Sequence, residues 1–406
     1  MDTITHGLAG ALLGKALCNG GPLFPPQPIS RRRVVTWSLM LGAVVPDADA
    51  LRDLFSPDQL LIVTWHRSVT HSLVCLPLFA LLLAGLTRSV ARRRKWEAPS
   101  LGALTAIYAI GIVSHIVLDL VTSFGTMIWT PINWSRPAWD LLFIIDFAFS
   151  TVVVIPQVLP WVYGRPEGVL KRSFACLSVA VLGVLSVARL AEAVGTPVSA
   201  QGVAGAMLTL VAVFLLPGIR GWGLKVSARA WNVAGLAVAV AYLLLAAHLH
   251  QMALTRVENF ATLERIDVET LGALPFPPSI FHWDGLIRTP RGVYDMRVNL
   301  HGLALFGESQ AVASTSQATQ EISYSFYPDA FPNAYIETAK HLPEVQKVLW
   351  FSRFPVVRFH QDGNQAIVEI ADLRFPKIRR GRPAPFTYRL RFGPGGQLLS
   401  KGWVGP

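Results

Sequence analysis
Histidines and aspartates recur through the first 150 residues at spacings that suit metal-assisted hydrolysis. His115 and Asp119 stand four apart, so on a helix they share one face and can bind one ion or bridge two. Asp47 and Asp49 follow Pro46, a residue that ends or kinks a helix, and alternate residues on an extended turn can point both carboxylates inward. His66 and His71 bracket Arg67, the one fixed positive charge of that stretch, suited to clamp a phosphate or carboxylate. His6 opens the first apolar run, and Asp140 and Asp146 add carboxylates around the fifth. Imidazole and carboxylate are the compact N and O donors that Zn²⁺ and Mn²⁺ take. The three cysteines, Cys18, Cys75 and Cys176, lie in apolar runs and form no CxxC motif, which points away from a thiolate zinc site or a disulfide framework. Asp2, Asp53, Asp58 and Arg136 read instead as caps or interface-facing side chains, and His248 and His250 as interfacial.

The elements that must position these groups belong in a membrane. Of 406 residues 52% are hydrophobic and only 15% charged, against about 25% charged in a soluble domain. Six runs approach the roughly 20 apolar residues of a bilayer span: 72–86, 101–121, 141–163, 173–190, 202–217 and 231–247. Two shorter ones, 5–18 and 34–45, are marginal. The expected fold is an all-α polytopic membrane bundle of six to eight helical segments over residues 1–254, followed by a small β-rich extracytoplasmic domain over 255–406. No basic region precedes the first apolar stretch, so no cleavable signal peptide is expected.

Loop charge orients the bundle. Four alternate loops carry 14 Lys or Arg, whereas the intervening loops 51–71, 122–140 and 193–201 carry only Arg52, Arg67 and Arg136. Positive loops stay in the cytoplasm, which places the other loops and the C-terminal domain outside an inner, multi-pass membrane. Every candidate site residue then falls at the outer end of its helix, although none of the aspartates or histidines entered the charge argument. The net charge of +11 splits as +8 and +3 between the two parts and is spent on orientation, so nucleic acid is not an expected partner.

The ordered set Met1–Asp2–x–x–Thr5–His6, Pro46–Asp47–x–Asp49, His66–Arg67–x–x–Thr70–His71–Ser72, His115–x–x–x–Asp119 with Gly125, then Trp139–Asp140 and Asp146, resembles the YdjM-type membrane-bound metal-dependent hydrolases over about residues 1–150. Ser68 stands where that family usually has glycine. The order is more distantly similar to the zinc-dependent phospholipase C and P1 nuclease families, which cut phosphodiesters. The resemblance implies a hydrolase with His6, Asp47, His66, His71, His115 and Asp119 as site residues.

The expectation is a membrane hydrolase holding two or three divalent ions, zinc or alternatively manganese, and acting on a phosphoester of a membrane lipid or lipid-linked substrate. Ligands would come from His6, Asp47, Asp49, His66 or His71, His115 and Asp119; Arg67 would steady an anionic headgroup, and Asp140 or Asp146 would hold a further ion or act as base. The rival is a metal-containing transporter or lipid-handling protein. It would want acids in the inner halves of the spans, which are nearly free of them. In the C-terminal domain, 294–300, 321–326 and 387–392 alternate as half-buried strands and 335–342 reads as a short helix; that domain would cap the outer site or bind a partner.

Overall fold
Capping and backbone breaks set where the helices begin and end in the computed structural model, which describes residues 1–17, 29–56, 58–193, 198–278, 280–300, 323–375 and 386–404. Cys18 and the first residues of the expected strand 321–326 lie outside the described residues. Contacts divide the chain into two units: 1–51 with 67–245, and 52–66 with 246–406.

In the first unit, α1 (Thr3–Leu17) starts where Asp2 accepts the Thr5 amide at 2.9 Å. Next come α2 (Ile29–Gly42) and a 3-10 segment, Val45–Leu54, which Pro46 opens by denying the helix a donor. The short α3 (Leu61–Thr64) belongs to the other unit. After it, α4 (Leu76–Arg94) ends on Lys95 in the left-handed conformation, with Arg92, Arg93 and Arg94 complementing the negative end of the helix dipole. Ser100 caps α5 (Leu101–Leu120), Asp146 caps α6 (Phe147–Val162) and Ser199 caps α8 (Ala200–Ile219), with α7 (Val169–Ala193) before α8 and α9 (Ala228–Leu263) after it.

Close packing gathers the elements that carry the candidate ligands. At Gly10 a side-chain carbon would sit 2.7 Å from Ala43 Cβ, and at Gly111 it would sit 2.7 Å from the Leu39 carbonyl. These two glycines let α1, α2 and α5 approach at backbone distance, the device membrane helices use when no hydrophobic force draws them together. A second seam, Ala80, Ala84, Leu104, Tyr108, Ile112 and Ile116, packs α4 on α5.

Among the described residues four helices, α5, α7, α8 and α9, are long and apolar enough to cross a membrane; counting each of two bent helix pairs, 31–42 with 45–52 and 61–71 with 76–94, as one span brings the total to six. Exposed Val179, Leu182 and Leu208 on α7 and α8 are the apolar surface lipid would cover. The expected span 141–163 is shorter than its apolar run. The backbone at 139–142 hydrogen-bonds instead to the Leu120 and Val121 carbonyls, Asp140 takes a positive φ of 56°, and α6 begins only after the Asp146 cap, with 16 residues.

The second unit holds two four-stranded antiparallel meanders. The first runs β1 (Thr270–Pro275), β2 (His282–Thr289), β3 (Gly292–Asn299) and β4 (Tyr324–Pro328). The second runs β5 (Pro355–Asp362), β6 (Gln365–Asp372), β7 (Thr387–Phe392) and β8 (Leu398–Trp403). Between them lie α10 (Ala334–Lys340), capped by Asn333, and α11 (Pro343–Phe351). Leu274, Leu286 and Val293 of the first sheet share one core with Phe354 and Val356. The 52–66 segment is part of this unit: α3 packs on α11, and Gln59 receives the Trp403 indole on its carbonyl at 2.8 Å.

Candidate metal centre
Four donors converge where α5, the 3-10 segment after α2 and the turn before α4 meet. Asp47, His71, His115 and Asp119 each offer one ligand atom, all within 4.8 Å of one another, and the last three residues are buried. His115 Nε2 lies 2.9 Å from His71 Nε2, 3.4 Å from Asp47 Oδ1 and 3.3 Å from Asp119 Oδ2. His71 Nε2 lies 3.6 Å from Asp47 Oδ1 and 3.2 Å from Asp119 Oδ2. Tetrahedral ligands at bonds of about 2.0–2.2 Å stand about 3.3–3.6 Å apart, and these separations of 2.9–3.6 Å lie close to that spacing.

The outer nitrogens show which lone pairs face inward. His115 Nδ1 meets the Ala43 carbonyl at 2.7 Å, and a carbonyl only accepts, so the proton sits on Nδ1. His71 Nδ1 lies 3.0 Å from Thr70 Oγ1, which donates its own proton to Asp49 Oδ2 at 2.9 Å and so accepts from the ring. With both rings neutral, as ligation requires, their Nε2 lone pairs face each other at 2.9 Å, a contact that a cation held between them would relieve.

The carboxylates are sorted in the same way, one oxygen for the protein and one for the centre. Asp47 Oδ2 accepts from Thr3 at 2.5 Å while Oδ1 faces the rings. Asp119 Oδ1 receives the Met1 amine at 2.6 Å, Arg67 Nη2 at 2.8 Å and His6 Nε2 at 3.1 Å. Its Oδ2 is buried and accepts no hydrogen bond among the described residues, although it faces both Nε2 atoms. An orphaned oxygen of that kind fits a bound cation. These residues can therefore hold a metal ion.

The other expected residues fall around this group or outside it. Asp49 holds the Arg67 amide at 3.0 Å as well as Thr70, and thereby orients His71. His6 stacks on His115 with ring centroids 3.7 Å apart; its Nδ1 is buried without a hydrogen-bond partner among the described residues. His66 is half-buried and belongs to the second unit. Asp140 is buried in the stretch after α5, outside the four-donor group. Asp146 accepts the Phe149 amide at 2.8 Å and the Tyr242 hydroxyl at 3.1 Å, a helix-capping position. Arg67 is only 2% exposed, has φ 63° and spends its two terminal nitrogens on Asp119 and on Thr122 at 3.0 Å. It therefore positions a ligand carboxylate, which differs from the free headgroup clamp that its place in the sequence suggested. Among the described residues this is the one group of donors that could hold a metal ion.

Spacing could not disclose three of the contributors. The Met1 amine and the Ala43 carbonyl are backbone groups, and Thr122 carries no metal-ligand signature. Thr70 stood in the motif but had no assigned role.

No curated protein and no solved structure matches the chain. Residues 1–192 match the YdjM inner membrane protein family, and all four donors lie within that match.

Proposed function
We propose that the chain is a membrane-embedded, metal-dependent hydrolase that cleaves a phosphoester of a membrane lipid or lipid-linked substrate. The observation that supports this most is the facing pair of Nε2 atoms, 2.9 Å apart with both Nδ1 protons committed outward. Asp47, His71, His115 and Asp119 would hold the ion, zinc by their donor types. When bound, it would supply Lewis acidity to a phosphoryl oxygen and acidify water.

The chain's own residues do the remaining work. Ala43 and the Thr70–Asp49 pair fix the ring tautomers, and Arg67 holds Asp119 so that only Oδ2 turns to the centre. His6 stacks on His115 and meets Asp119 Oδ1 at 3.1 Å, which holds both of these residues in place. Arg67 and Arg136 lie over the Phe124 ring at 5.0 and 4.9 Å; with Arg67 committed to Asp119, Arg136 is the guanidinium that would favour an anionic substrate. Loop charge supports placing the centre on the extracytoplasmic side of the inner membrane.

The test is turnover of phospholipids and lipid-linked phosphates by the full chain in nanodiscs. Asp119→Ala should abolish hydrolysis while leaving the protein inserted. Full activity in that variant would sink the metal mechanism, and hydrolysis confined to neutral acyl esters would remove the phosphate assignment. Metal binding without hydrolysis of any lipid would favour a transporter or lipid-handling protein instead.

A further inference from the structure
The turn from α8 to α9 borders a groove of about 740 Å³, well away in sequence from the metal ligands. Its walls are apolar, with Val213, Leu216 and Pro217 of α8 facing Trp222 and Trp231, and Arg220 is the one charged side chain in its lining. Trp231 is held by ring contacts on both sides, stacked on Tyr163 at 5.6 Å and against Trp222 at 5.6 Å. Its indole N–H is buried and has no acceptor among the described residues. A buried donor without a partner costs on the order of 1–3 kcal/mol, so an acceptor brought from outside would be bound favourably.

What enters must match the lining. The groove offers donors, the Trp231 N–H and the Arg220 guanidinium, and no carboxylate lines it. Nearby, the Tyr163 hydroxyl is already committed to the Val213 and Phe214 carbonyls at 3.0 and 2.8 Å, and Arg229 to the Ala16 carbonyl at 3.3 Å. Because α8 and α9 are both long and apolar enough to cross a membrane, the turn between them falls at a membrane surface. Tryptophan and basic residues suit that depth, and basic pockets between spans there take anionic headgroups.

We propose that this groove is a binding site for one anionic phospholipid, its acyl chain lying along α8 and its phosphate received by Arg220 and the Trp231 N–H. Charge complementarity at Arg220 selects such a lipid over a zwitterionic one, while the stranded donor takes a phosphate oxygen.

The experiment is native mass spectrometry of the delipidated full chain titrated with phosphatidylglycerol or phosphatidylcholine. The wild type should retain one phosphatidylglycerol in preference to phosphatidylcholine. Arg220→Ala should reduce that preference about fivefold, the worth of one basic side chain at an anionic lipid. Trp231→Phe keeps the ring stack and removes only the N–H, and it should weaken retention of the lipid. Arg93→Ala, a basic residue of another loop, should change neither. Equal retention of the two lipids by the wild type would overturn the proposal, as would retention unchanged by both groove substitutions. A lipid-free dimer would assign the groove to a second copy and overturn it too. Should Trp231→Phe fail to fold, the exposed Arg220 still decides the question.

Discussion
At the centre every inward-facing atom is set by a contact made on its far side. The Ala43 carbonyl accepts from His115 Nδ1 and keeps its proton outward, Thr70 and Asp49 do the same for His71, and three donors on Asp119 Oδ1 leave Oδ2 for a cation. Residues that touch no ion should therefore control its affinity. Thr70→Val is expected to lower metal affinity 10–100-fold, the usual cost of losing a partner that orients a ligand, read by competition with a chromophoric chelator. Arg67→Ala should do the same and should weaken turnover of neutral and anionic substrates alike, because its guanidinium is occupied by Asp119 and Thr122. A loss confined to anionic substrates would restore the headgroup clamp. The ligand types and the pairing of His115 with Asp119 were legible in the sequence. The outward contacts were not, since backbone groups such as the Ala43 carbonyl and the Met1 amine carry no residue signature.

At the scale of elements, the centre depends on how closely α1, α2 and α5 approach. Gly111→Val would drive a side chain into the Leu39 carbonyl and Gly42, so we expect a loss of about 1–3 kcal/mol in stability together with loss of bound metal. Gly85→Val, at a position open to at least 4 Å, is the control and should change neither. Long apolar helices such as α5 and α8 could be read from composition, as could β3 and β7 from alternation. The start of α6 could not, because the run 141–163 is apolar throughout and only the Asp146 cap and the backbone bonds at 139–142 delay the helix. In the first sheet, burial pushes the Asp284 carboxyl up to about 8; Arg297 lies 2.8 Å away but off the line a hydrogen bond needs. A carboxyl raised in the fold stabilises it fully below the unfolded value near 4, and that contribution is lost as pH rises through 8. Hydrogen exchange across β2 in the full chain should accelerate between pH 5 and 9 beyond its intrinsic rate, and Asp284→Asn should flatten that excess. The same excess in both proteins would contradict the assignment.

Over the whole molecule, an apolar helical region with a polar centre is joined to a domain of two meanders, and residues 1–192 match the YdjM family. Loop charge, 14 positive residues against three, predicts that a reporter fused at the C-terminus is active only when exported. Cytoplasmic activity would reverse the orientation. The order of the motifs made the family legible from about 150 residues. No spacing rule, however, could place residues 52–66, a loop between two ligand-bearing segments, in one compact unit with the C-terminal domain; that required the Gln59 and Trp403 contacts. The central claim is that Asp47, His71, His115 and Asp119 hold a divalent ion. Elemental analysis of the purified full chain, equilibrated with zinc and freed of excess, tests it most directly. About one bound ion per chain in the wild type, falling severalfold or more in Asp119→Ala and in His115→Ala, is the predicted result; a wild type that keeps no metal, or variants that keep as much as the wild type, would contradict it.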